Sequence, residues 1–87
     1  MKVEQYLLQN GFKPNLKGFG YLSDAIEFCQ KDKTCLRAII KLYKKIAEVN
    51  KDTYTRVERA IRNAIYVSGK KMTNSQFIAM AVIELKN

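Results

Sequence analysis

Residues 55–67 read TRVERAIRNAIYV, a run that sets three arginines and one glutamate among apolar residues. Spaced at the roughly 100° per residue of an α-helix, Val57, Ala60, Ile61, Ala64, Ile65 and Ser68 fall on one half of the wheel. Thr55, Arg56, Glu58, Arg59, Arg62, Asn63 and Tyr66 fall on the other. So sharp a boundary specifies an amphipathic helix whose apolar half faces a core. Arginine is a good helix former, and Glu58 precedes Arg62 by one turn, so a solvated face with an i,i+4 pair would account for the helix taken alone. The rest of the chain argues for more.

The chain has 87 residues, enough for one domain (1–87) with a modest core but no enclosed substrate chamber. An apolar fraction of 47% and a charged fraction of 28% with clear periodicity fit a folded protein rather than a disordered one. The N-terminal MKVEQYLLQNGF lacks the blocks of a signal peptide and no long apolar run follows, so a cytoplasmic location is expected. The net charge of +8 is concentrated: residues 31–71 hold twelve Lys and Arg against Asp32, Glu48, Asp52 and Glu58, and both flanking segments are neutral. A local surplus of that size favours polyanions, nucleic acid first and an anionic membrane surface a weaker second.

Catalysis is not expected. The chain has no histidine, the commonest general base, and no nucleophile or carboxylate pair in a recognisable motif, so no catalytic residue is assigned. Cys29 and Cys35 cannot supply four ligands to a structural metal, and in a reducing compartment both are expected to be free, buried or half-buried thiols. No metal and no cofactor is expected.

Strand-type alternation is never sustained, and the class is all-α, with about five helices. A first helix is expected over about 2–10, with Val3, Tyr6, Leu7 and Asn10 on one side and Gly11 as a left-handed stop. FKPNLKGFG (12–20) reads as a loop, because it holds the only proline and two glycines. A second helix over about 21–31 would bury Leu22, Ala25, Ile26 and Cys29. A third, over about 35–49, sets Leu36, Ile39, Ile40, Tyr43, Ile46 and Ala47 inward and a basic stripe of Arg37, Lys41, Lys44 and Lys45 outward. Asn50-Lys51-Asp52-Thr53 breaks the pattern, and Asp52 or Thr53 can cap the fourth helix, 54–68. Thr73-x-x-Gln76 reads as a capping box for a last helix to about 86, with Phe77, Ile78, Ala81, Val82 and Leu85 inward.

Two helices with basic faces joined by a short polar turn are what a helix-turn-helix requires: the second enters the major groove while the first crosses the phosphates. Arginine can bond guanine O6 and N7 together, and glutamate can accept from cytosine N4. The candidate base contacts are Arg56, Glu58, Arg59, Arg62 and Asn63. The candidate phosphate contacts are Thr53, Thr55, Lys44, Lys45, Lys51 and Lys70. Tyr43 and Tyr54 are expected to pack, and Tyr6, Tyr21, Phe12, Phe19, Phe28 and Phe77 to fill the core, because they are scattered and lack the strand setting of a single-strand binder.

KGFGYLSDAI (17–26), LYKKIA (42–47), TRVERAIRNAI (55–65) and TNSQFIAM (73–80) together nearly span the chain. With these segments in this order, the sequence resembles the C-terminal DNA-binding effector domain of the sporulation-initiation response regulators of endospore-forming bacteria, the stage 0 sporulation protein A family. The resemblance implies a helix-turn-helix reading a short asymmetric duplex box of the TGTCGAA type, usually in tandem copies, with Arg56, Glu58, Arg59 and Arg62 facing DNA. It makes double-stranded DNA the expected partner, with a second copy of the chain on an adjacent box. Asn63 and Tyr66 depart from the family's residues at those positions, which opens the identity of the box. The chain starts directly at the effector domain, so control through a receiver domain is not expected from these residues. The segment before TNSQF is shorter than the family's, which carries an inserted helix associated with RNA polymerase. Box binding without polymerase contact is therefore expected, as a repressor or competitor. The rival reading is a protein-interaction module that engages a partner such as a full-length sporulation regulator.

Overall fold

The computed structural model describes residues 2–86, and among them the chain is all-α. Helix α1 (Lys2–Gln9) ends as its sequence requires. Gly11 has φ +86°, its N–H donates to the Leu8 carbonyl at 3.1 Å, and the Phe12 N–H donates to the Leu7 carbonyl at 3.0 Å. These are the two bonds of a Schellman stop, and the buried Leu7 and Phe12 supply its apolar contact.

Helix α2 (Lys17–Lys31) corrects the expected loop at 12–20, because it starts four residues earlier than 21. The helical cost of Gly18 and Gly20 is roughly 1 kcal/mol each. It is offset by burial of Phe19 and by what Gly18 permits. A β-carbon at Gly18 would run into the Ala60 carbonyl and lie 2.8 Å from the Ala64 β-carbon, so only glycine lets this first turn rest on the backbone of the fourth helix. Helix α2 becomes the centre of the fold, packed on every other helix.

The expected third helix, 35–49, is divided. Cys35–Ala38 form a single 3₁₀ turn, and α3 proper runs Ile39–Asn50. The phase change moves Leu42 into the core beside Tyr43, Ile46 and Ala47, and leaves Ile40, expected inward, half exposed. The expected free thiols are also corrected, since Cys29 and Cys35 form a disulfide. Asp32 accepts from the Thr34 N–H at 2.9 Å and hydroxyl at 2.7 Å. This folds the chain back and brings the two cysteine α-carbons to 5.5 Å, within disulfide reach.

Helix α4 spans Tyr54–Val67, one residue short of the expected 54–68, and α5 spans Asn74–Glu84 within the expected 73–86. The capping box is present: the Gln76 N–H donates to Thr73 Oγ1 at 3.1 Å, and the Thr73 N–H donates to Gln76 Oε1 at 3.0 Å. Phe77, Ile78 and Ala81 are buried against α2, and the Tyr6 hydroxyl donates to the Glu84 carboxylate, tying α1 to α5. Of the aromatics expected in the core, Phe12, Phe19, Tyr21 and Phe77 are buried, while Tyr6 and Phe28 are half-buried.

Candidate nucleic-acid interface

Three residues, Lys51, Asp52 and Thr53, separate α3 from α4. Lys51 is in the left-handed region at φ 54°, and the Asp52 N–H reaches back to the Ala47 carbonyl at 2.9 Å, a second Schellman stop built without glycine. Thr53 is the N-cap: its hydroxyl accepts from the Arg56 N–H at 3.3 Å. Asp52 is occupied otherwise, accepting from the Tyr21 hydroxyl at 2.6 Å and the Thr53 N–H at 2.8 Å. Those two donors hold the Asp52 carboxyl below the usual carboxylate range, and the same bond, with burial, pushes the Tyr21 phenol up to about 12. The turn is thus pinned to the central helix.

All of Val57, Ile61, Ala64 and Ile65 are buried, and Ala60 and Ser68 are half-buried, so the division of the wheel holds in space. On the outer side Arg59 sits near the middle of the exposed arc, with Arg56 and Arg62 each about 60° to one side. Arg59 and Asn63 are exposed, and among the described residues neither makes a side-chain hydrogen bond or ion pair. Arg56 lies 3.9 Å from Asp52 and Arg62 lies 3.7 Å from Glu58, with both guanidinium groups largely in solvent. Glu58 differs from these cations: half-buried at the edge of the arc, it faces Arg62 on one side and Asn74 on the other. Tyr66, 80% exposed, lies about two turns beyond Arg59 along the middle of the arc.

The six phosphate candidates do not all share that side. Thr53 and Thr55 present hydroxyls 3.3 Å apart at the start of α4. Lys44 reaches over the Tyr54 ring at 5.4 Å, which brings this one residue of the α3 stripe to the same end of α4. Lys51 is exposed in the turn. Lys70 lies past the other end of α4 in a cleft with Arg62, Tyr66 and Lys71. Lys45 is turned elsewhere, 5.0 Å over the Phe28 ring of α2 in a hollow with Asp32 and Lys41 that no α4 residue lines. Lys71 was not singled out from the sequence, although its place beside Lys70 is a signal. Asn74 was missed because its partners lie sixteen and thirty-one residues away.

A family model described as sporulation initiation factor Spo0A C terminal matches residues 3–72. The chain belongs to the Spo0A C-terminal family. The family is a DNA-binding effector domain of a sporulation transcription regulator and not an enzyme family, in agreement with the all-α fold. The Spo0A match runs through α4 and stops at Met72, two residues before α5, so TNSQFIAM lies beyond it. Among the described residues no helix is long and apolar enough to cross a membrane, and no group of three or more His, Cys, Asp or Glu could hold a metal ion.

Proposed function

We propose that the chain is a sequence-specific double-stranded DNA-binding regulator that lays α4 in the major groove. The observation that carries this reading is Arg59, a guanidinium near the centre of the exposed arc with no partner among the described residues. Its bidentate fork is free for a guanine edge. Arg56, Arg62 and Asn63 flank it as base readers, and Glu58 stands beside Arg62. Thr53, Thr55, Lys44 and Lys51 contact phosphates at one end of the helix and Lys70 at the other, fixing its register. Lys45, turned toward α2, contributes least.

Ser68–Thr73 joins α4 to α5 without a helix, which supports box binding as a repressor or competitor and not polymerase contact. One α4 covers one half-site, so tight binding calls for a second copy on an adjacent box. Fluorescence anisotropy against a duplex carrying the family's box and a scrambled duplex, titrated over salt, tests the reading. A box preference that persists as salt rises supports it. Equal affinities, each falling by about 0.9 log units per contact per log unit of salt, would reduce the chain to a non-specific basic domain. Failure to bind at low salt would favour the protein-interaction reading.

A further inference from the structure

We infer that Asn74, the first residue of α5, is a positioning residue for DNA reading: it holds the Glu58 carboxylate where that carboxylate orients Arg62. The inference rests on the reading of α4 as the recognition helix. Asn74 is only 8% exposed, and its Nδ2 lies 3.0 Å from the Tyr43 hydroxyl, 3.3 Å from the Glu58 carbonyl oxygen and 3.5 Å from Glu58 Oε2. A carbonyl and a carboxylate can only accept, so the NH₂ end of the amide must face them. One N–H serves Tyr43 and the other is forked across Glu58. The two carboxylate oxygens are thereby divided, Oε2 toward Asn74 and Oε1 toward Arg62 Nη2 at 3.7 Å.

This arrangement gives the carboxylate a fixed place beside the arginine it pairs with. Freed of Asn74, Glu58 could turn away from Arg62 and let that side chain sample many rotamers. Held back, it restricts the guanidinium before DNA arrives, and ordering one long side chain in advance is worth about three- to tenfold in affinity. The gain applies to a duplex on which Arg62 has a base to read. It makes α5, which lies outside the family match, part of the specificity apparatus.

The test compares box and scrambled duplexes by anisotropy for the full chain. Asn74→Ala is expected to lower the box-to-scrambled affinity ratio about three- to tenfold. The salt slope should not change, because no phosphate-neutralising cation is removed. In an Arg62→Ala background the same change should leave the ratio unaltered. Thr73→Ala, which weakens the α5 cap but spares Asn74, should lower thermal stability and leave the ratio intact. Should Asn74→Ala fail to fold, Glu58→Gln carries the test through Arg62 mobility in the DNA-free chain, because Glu58 is itself a candidate base contact and its box-to-scrambled ratio does not isolate the role of Asn74. In the DNA-free chain, ¹⁵N relaxation of the Arg62 Nε–Hε group should report greater mobility in either variant, a readout that stands even if box binding itself is not found. Unchanged Arg62 mobility, an unchanged ratio, or an equal loss in the Arg62→Ala background would each overturn the inference. Absence of box preference in the unmodified chain would instead overturn the reading on which it rests.

Discussion

The two faces of α4 obey opposite rules. Its inner face is fitted so closely to α2 that one added methyl at Gly18 has nowhere to go. Its outer face carries Arg56, Arg59, Asn63 and Tyr66 in solvent, where the fold demands nothing of them beyond helix propensity. Side chains that do not determine folding are free to be chosen for a partner. The inner face in turn gives that choice a rigid base, as the proposed base reading by Arg56, Arg59 and Arg62 would require.

Five substitutions would break or sharpen this contrast. The largest effect is expected from Gly18→Ala, which forces α2 and α4 apart and should cost about 3 kcal/mol in urea unfolding. DNA binding should weaken with it. A stability loss below half that value would mean the helices can slide, and that the inner face is less exacting than its geometry indicates. Arg59→Ala is the converse, expected to cost about 1–3 kcal/mol on a preferred duplex while shifting unfolding by no more than about 0.5 kcal/mol. Loss of fold rather than affinity would put Arg59 on the wrong side of the comparison.

Lys51→Gly probes the turn where the two faces meet. Relieving a left-handed non-glycine residue should stabilise the chain by about 1 kcal/mol, and removing a phosphate contact should lower the salt slope by about 0.9. Gain of stability with no change in slope would take Lys51 out of the interface. Tyr21→Phe tests how the same turn is pinned. Because the folded state lowers the Asp52 pKa, that contribution is complete above the ordinary aspartate range near about 4 and is lost as pH falls through the depressed value. Because it raises the Tyr21 pKa, the phenol's contribution is complete below about 10 and is lost as pH rises through about 12. Stability measured against pH should therefore fall at both extremes, and the phenylalanine variant should flatten both limbs. Smallest is Gly20→Ala: a β-carbon there meets nothing within 4 Å, so helix propensity alone should add about 0.5–1 kcal/mol. The opposite signs expected at positions 18 and 20 isolate close approach from propensity.

What the sequence determined by itself is the local and periodic part of this protein. The caps at Thr53 and Thr73, the left-handed stop at Gly11, the division of α4 and the surplus of cations in the middle of the chain all depend on residues within a few positions of one another. Tertiary structure alone decided where distant segments meet. Helix α2 begins at Lys17 despite two glycines because α4 lies against Gly18, and Asn74 reaches Glu58 only because α5 docks beside α4. Helical periodicity tells each residue which way to face, but the partner it then meets is set by packing among elements far apart in the chain. For that reason the cationic arc was legible in the sequence and the contact that orients one of its arginines was not.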